Sequence, residues 1–382
     1  MSRYDWLVVG AGLTGATLAE RLATQAGQRV LVVDRRPHVA GNAYDEPDHE
    51  GVLVHRYGAH LFHTSNAAVW RYLSGFTTWR PYVHRVLAHV DGVLVPVPFN
   101  LRSLELLARP ADAARMTARL VDVFGHGARV PVLQLLEHDD PVIAEAGRLA
   151  YEKVFLNYTA KQWERRPEEL DRAVTGRVPV LVGYDDRYFR DTHQALPTDG
   201  YTAMVRRMLA QPGITVATDT PFEQLTATSV RWTRMVFTGP IDEYFGSSLG
   251  TLPYRSLRFE HEVVPVARYQ PVSVVNYPNE HAFTRILEHA HFSGHTGRST
   301  TITREYPQGH VPGVTEPYYP VPCEESNALY RRYRDEAAER ADVVFAGRLA
   351  KYRYFDMDQA VAQALVTFRR IVGAPVPEGA PV

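Results

Sequence analysis

Gly10, Gly12 and Gly15 follow one another as Gly-x-Gly-x-x-Gly around Thr14, and an acid, Asp34, comes later at the end of an apolar run. Glycines at this spacing bring a backbone turn against a phosphate pair. Gly10 permits the tight turn, Gly12 the close approach, and Gly15 the packing of a following helix, while the acid accepts a ribose 2′-hydroxyl. A second grouping is Asn157-Tyr158-Thr159-Ala160-Lys161-Gln162-Trp163, where two aromatic rings and several hydrogen-bonding groups offer a platform for a nucleobase, its ribose and its phosphates. The same spacing also suits the end of an amphipathic helix whose rings simply pack. Arg177, in a stretch bounded by glycine and proline, and Arg285, set among apolar residues, are candidates to hold a diphosphate, because a guanidinium pairs bidentately with phosphate oxygens and stays charged. Tyrosines are dense near these segments: Tyr184, Tyr188, Tyr318, Tyr319, Tyr352 and Tyr354. They supply rings and hydroxyls suited to a sugar diphosphate. No metal site is expected, since His60 and His63 have no carboxylate at ligand spacing.

Such groups need a scaffold. Residues 4–9 read as a buried strand, Leu13, Ala16, Leu18, Ala19, Leu22 and Ala23 recur at helical spacing, and residues 30–33 form a second strand ending at Asp34. This is the opening of a Rossmann-type dinucleotide-binding domain. Residues 35–42 form a polar loop returning over that site, and residues 83–97 read as a hairpin turning at Asp91-Gly92 and ended by Pro96 and Pro98. Residues 101–172 carry leucines and alanines at helical spacing, and residues 177–189 form a loop free to move. Residues 236–239 are a short strand ending in Gly239, and β-like runs follow over residues 259–275 and 299–306. Finally residues 343–347 are a strand, and a helix begins at Asp356 with Met357 and Asp358 in its first turn. A C-terminal strand, glycine and helix that return to the nucleotide site favour FAD over NAD.

The chain has 382 residues, 42 basic against 43 acidic, so nothing in its overall charge draws in nucleic acid or an anionic membrane. Its single cysteine, Cys323, forbids an internal disulfide and reads as a packed thiol in a reducing compartment. The first strand begins too early to leave room for a signal peptide, and no apolar run is long enough to span a bilayer; a cytoplasmic location is expected.

Several blocks together resemble the bacterial UDP-galactopyranose mutase family, in one order from residue 4 to about 370: residues 57–64 (YGAHLFHT), 158–163 (YTAKQW), 196–202 (LPTDGYT), 284–286 (TRI), 316–320 (EPYYP) and 347–354 (GRLAKYRY). The resemblance implies an α/β protein in three parts. The Rossmann-type FAD-binding domain is discontinuous (1–78, 195–245 and 336–372), with a helical insertion (100–175), an antiparallel β-sheet domain (79–99, 176–194 and 246–335) and a loose tail (373–382). It implies an isomerase that interconverts UDP-galactopyranose and UDP-galactofuranose with no net redox change. The active cofactor is reduced FAD, regenerated by NADPH or another external reductant; its N5 displaces UDP from the anomeric carbon, and the sugar rearranges as a covalent adduct.

Carried over position by position, Arg177 and Arg285 clamp the diphosphate, and His60 and His63 lie near the flavin. Gly10, Gly12, Thr14, Gly15, Asp34, Arg35, Gly41, Asn42, Tyr57, Gly239, Arg348, Tyr354, Asp356 and Met357 meet the cofactor. Phe99, Asn100, Val154, Tyr158, Thr159, Trp163, Tyr188 and Asn276 line the nucleotide-sugar site, and Tyr319 and Tyr354 bind phosphate. A homodimer is the expected assembly. The usual glycine pair after the acidic strand is Ala40-Gly41 here, which fits if Ala40 has ordinary backbone angles. A phenylalanine common four residues before Tyr158 is Val154 here, leaving room for a thymine methyl. Alternatives are therefore a mutase for another nucleotide sugar such as dTDP-fucopyranose, an FAD-dependent oxidase or desaturase, and a nucleotide-sugar sensor without chemistry.

Overall fold

The computed structural model describes residues 3–170, 178–225, 228–321 and 323–376. The strand Arg3–Val9 runs into the helix Leu13–Ala26 and returns through the strand Val30–Val33, which is buried throughout. All five strands of this sheet run parallel, in the spatial order Ile214–Ala217, Val30–Val33, Arg3–Val9, Arg231–Phe237, Val343–Phe345. Numbered along the chain that order is third, second, first, fourth, fifth. The topological switch therefore falls between Arg3–Val9 and Arg231–Phe237, and the crevice at their carboxyl ends is where a doubly wound sheet binds nucleotides. The strand Val343–Phe345 does return to this sheet, paired with Arg231–Phe237 at its edge, and the helix Met357–Ile371 packs on Leu13–Ala26.

A second sheet has seven strands in the order Tyr319–Pro320, Tyr254–Val264, Thr300–Gly309, Arg285–Glu288, Val274–Asn276, Val86–Val90, Val93–Val97. It is antiparallel except at one place. Val274–Asn276 pairs parallel with Val86–Val90, because the two strands come from distant parts of the chain rather than from one hairpin. The expected hairpin turns at Asp91 (φ 50) and Gly92 (φ 81). Pro96 lies within its second strand, opposite Leu87, rather than ending it. That strand is the edge of the sheet, where a missing N–H breaks no ladder.

After the hairpin the chain runs through the helices Leu101–Leu107, Pro110–Phe124, Val132–Leu136 and Pro141–Ala150, then a π-helical turn Tyr151–Phe155 leading into Leu156–Trp163, and it packs on the second sheet. The segment 178–189, expected as a loop, contains the short strand Val180–Leu181, paired with Arg129–Val130. Ala40 departs from expectation: its φ is 74 and ψ −2, a left-handed conformation, and its N–H donates to the Ala11 carbonyl at 2.9 Å. The turn is bought with strain that a glycine would not carry. Among the described residues no helix is long and apolar enough to cross a membrane, and no cluster of three or more metal-ligating side chains occurs.

Candidate functional site

At the switch point the helix Leu13–Ala26 begins after Gly12 with no side chain capping its first turn, so its leading N–H groups face the crevice. A Cβ on Gly15 would lie 1.9 Å from the Gly10 carbonyl oxygen, and one on Gly10 (φ 103) 2.0 Å from Thr238 Oγ1. The helix and the fourth strand thus close on the turn only because both positions are bare. Gly41 stands across from Gly12, and Gly347 brings the C-terminal return against Thr14, where a Cβ would be 3.2 Å from its Oγ1. These are the dimensions of a phosphate cradle with a roof of returning backbone.

Asp34 accepts from Ala11 N–H at 2.8 Å and Arg36 N–H at 2.9 Å, which fixes its carboxylate at the strand end with lone pairs to spare for a ribose. Arg36 bonds Asn42 Oδ1 at 2.9 Å and Glu316 at 2.7 Å, and its guanidinium lies 4.5 Å from the Tyr57 ring centroid. Arg35 shares Glu316 but is the more exposed of the two, 45% against 14% for the side chains. Arg36, which sequence reasoning passed over, is the one built into the site. Gly239 follows Thr238 at the end of the fourth strand, packed against the Phe237 ring.

The second sheet supplies a row of polar side chains. Asn276, Arg285 and Glu305 are direct cross-strand neighbours, so their side chains share one face. Arg285 pairs with Glu305 at 2.8 Å, and Glu305 has no exposed side-chain surface. Burial alone would pull the Arg285 guanidinium down, but Glu305, with Tyr158 and Tyr319, holds it well above its ordinary value. It is a fixed cation. Arg285 Nε and Asn276 Oδ1 are nevertheless buried without a hydrogen-bond partner, which a ligand bearing acceptors and donors would cure.

Facing the row is the helix Leu156–Trp163, none of whose residues is fully buried. A helix that carries two aromatic rings among polar side chains and buries none of them fully is a wall of a cleft rather than a packed helix. Tyr158 and Thr159 lie on it, and burial beside Arg285 and Glu305 pushes the Tyr158 hydroxyl far up. Trp163 meets Tyr319 at 6.3 Å between centroids, Tyr319 meets Tyr354 at 5.9 Å, and the Arg348 guanidinium stands 4.8 Å from the Tyr354 ring. Tyr354 donates to Asp356 Oδ1 at 3.0 Å, and Asp356 caps the helix that begins at Met357. The chain thereby joins the expected substrate residues to the expected cofactor residues in one wall.

On the opposite side, His63 stacks on Phe189 at 3.6 Å and bonds Asp191 at 2.9 Å. His84, 4% exposed, lies among Tyr188, Phe189 and Arg285, and burial followed by Arg285 holds it down to about 3. His60 is likewise held to about 3, by burial and then His55, and its Nδ1 reaches the Gly58 carbonyl at 2.9 Å. Both rings are neutral at any working pH.

The model of the family described as UDP-galactopyranose mutase matches residues 153–354, and a model described as NAD(P)-binding Rossmann-like domain matches residues 8–76. A probable UDP-galactopyranose mutase of Klebsiella pneumoniae is 33% identical over 96% of this chain and 94% of its own length. The chain belongs to the UDP-galactopyranose mutase family. As a mutase of that family it also has a relative named dTDP-fucopyranose mutase in Escherichia coli, 32% identical over 94% of this chain and 96% of the relative. In fold it matches a reduced UDP-galactopyranose mutase with a TM-score of 0.76, 14% identity and coverage of 98% of this chain and 96% of that one. A putrescine oxidase bound to putrescine shares the fold at a TM-score of 0.56, 13% identity, and 97% and 99% coverage.

Within this member of the UDP-galactopyranose mutase family, three expected substrate residues are buried. Phe99, 1% exposed, and Val154, 7% exposed, are packed in the main apolar core. Asn100, 1% exposed, spends its Oδ1 capping the helix Leu101–Leu107 by accepting from Ser103 N–H. Arg177 lies outside the described residues. Sequence reasoning missed Arg36, His84, Glu305 and Asp191; a carboxylate at alternating position in a strand, as Glu305 is, was the one signal available, since a charge on an inward face demands a partner.

Proposed function

We propose that this chain interconverts UDP-galactopyranose and UDP-galactofuranose with bound FAD as cofactor. The observation that carries the reading is the row Asn276, Arg285 and Glu305, with its buried unpartnered polar atoms, opposite an aromatic helix and joined through Tyr319 and Tyr354 to the dinucleotide crevice. The residues present suit FAD. The uncapped helix and the Gly12, Gly41 and Gly347 backbones would hold its pyrophosphate, Asp34 and Arg36 its adenosine end, and His60, His63 and Arg348 its flavin end. When reduced by NADPH or another external donor, FAD supplies an electron-rich nitrogen able to bond the anomeric carbon as UDP departs. Everything else falls to the protein.

Arg285, together with Arg177, would grip the diphosphate, stabilise the departing charge and keep UDP within reach for its return. Tyr319 and Tyr354 would add hydroxyl donors to phosphate. Tyr158, Thr159 and Trp163 would hold nucleobase and ribose, with Tyr188 and Asn276 closing the sugar pocket. His60, neutral, and His63 can take or give hydrogen bonds at the sugar. The three-part domain division, a homodimer and a cytoplasmic setting belong to the same reading.

The E. coli relative and the small side chain at Val154 favour a second substrate, dTDP-fucopyranose. Incubating dithionite-reduced holoenzyme with UDP-galactose and with dTDP-fucose side by side, then separating pyranose from furanose, decides the sugar. Turnover of neither, or consumption of an electron acceptor in step with substrate, would remove the mutase reading in favour of a sensor or an oxidase. Arg285→Ala is expected to lose nearly all turnover while the protein stays yellow; loss of colour would move Arg285 from the diphosphate to the flavin.

A further inference from the structure

The cofactor-side segment Gly58–His63 is tied to the second sheet by hydrogen bonds that use histidine rings. His60 N–H donates to His55 Nδ1 at 3.2 Å, and His55 N–H donates to His289 Nδ1 at 3.2 Å. His289 Nε2 meets Thr303 Oγ1 at 2.7 Å, and that hydroxyl meets His261 Nδ1 at 2.7 Å. His55 and His289 are 3% and 0% exposed, and His55 is clamped flat on Phe292 at 5.1 Å between centroids. Thr303 stands two residues before Glu305 on the same face of Thr300–Gly309. Gly58 in turn lies so near Glu305 that a Cβ there would be 3.2 Å from its Oε2.

A backbone N–H can only donate, so its partner nitrogen must be bare. His55 and His289 are therefore neutral, with Nδ1 accepting and the proton on Nε2; His289 donates to Thr303, whose own proton goes to His261. This direction excludes a proton wire, because two of its links are amides that cannot pass a proton on. Positioning is what remains. We propose, on the proposed mutase reading, that His55, His289 and Thr303 are positioning residues that set the His60 segment at a fixed height above the Asn276–Arg285–Glu305 row, registering the flavin end of the site to the diphosphate end.

The test uses FAD-loaded enzyme. His289→Phe and Thr303→Val keep ring packing and shape but cut the chain; each is expected to lower kcat about 10-fold or more with KM unchanged, and to shift the bound flavin's absorbance. His289→Gln carries one acceptor and one donor and should restore both. In 15N-histidine spectra of the loaded wild type, His55 and His289 should show an unprotonated Nδ1. Wild-type kcat and absorbance in His289→Phe, failure of glutamine to rescue a variant that has simply lost thermal stability, or a protonated Nδ1 on either ring would each overturn the proposal. The absorbance and the nitrogen spectra need no turnover, so an enzyme inactive on both sugars would sink the mutase reading while these two readouts still tested the positioning of the flavin end.

Discussion

Arg285 and Glu305 depend on each other in different ways, and that asymmetry can be measured. Glu305 has no exposed side-chain surface, so Arg285→Ala strands a carboxylate in the core and should cost about 3–5 kcal/mol of stability besides abolishing turnover. Adding Glu305→Gln removes the stranded charge. The double variant is expected to recover most of the melting temperature and none of the activity; recovery of activity would mean that the guanidinium serves only its partner and not a phosphate. Arg285 was legible in the sequence because an arginine amid apolar residues needs a reason. Arg36 was not, since the adjacent Arg35 is chemically identical and only the folded packing on Tyr57 and the bond to Asn42 distinguish them.

Among the elements, the loop after the second strand shows how a local departure from pattern is absorbed. Ala40 sits at φ 74 and is 1% exposed, so the next residue, Gly41 at φ 55, can face Gly12. Left-handed alanine costs about 1–2 kcal/mol, and its buried methyl returns about 0.8 kcal/mol. Ala40→Gly is therefore expected to leave stability unchanged or raise it by up to about 1 kcal/mol by difference. Gly41→Ala should do the reverse, because its Cβ would press to 3.0 Å from the Gly12 Cα, and FAD affinity should fall with stability. Equilibrium unfolding and flavin titration of both variants check this; a marked loss in Ala40→Gly would contradict the strain. Glycine spacing, the Asp91-Gly92 turn and the C-terminal return were readable because each is local chemistry with one solution. The parallel pairing of Val274–Asn276 with Val86–Val90 was not, because alternation fixes which face a residue takes and says nothing of which strand lies alongside.

The molecule as a whole stores an unusual number of neutral histidines, and its response to acid follows from them. Burial is the first cause in every case: His55 and His261 are held to about 4, His60 and His84 to about 3, and His289 well below its ordinary value. Their unfolded values lie near 6.5. A histidine whose folded value is depressed contributes stability that is complete above that unfolded value and drains away as pH falls through the window down to the folded one. Unfolding between pH 6 and pH 5 should accordingly add about five protons to these rings. His291 works in the opposite sense, since its bond to Glu288 raises it, but it is protonated in both states at pH 5 and drops out there. Carboxylates raised by burial, such as Asp45, also oppose the trend, and a difference measurement removes them. In His289→Gln, which keeps the hydrogen bonds and cannot titrate, the slope of unfolding free energy against pH near pH 5 should fall by about 1.4 kcal/mol per pH unit, the worth of one proton. An unchanged slope would show that His289 takes up its proton while folded, and a ring protonated on both nitrogens could no longer accept the His55 amide.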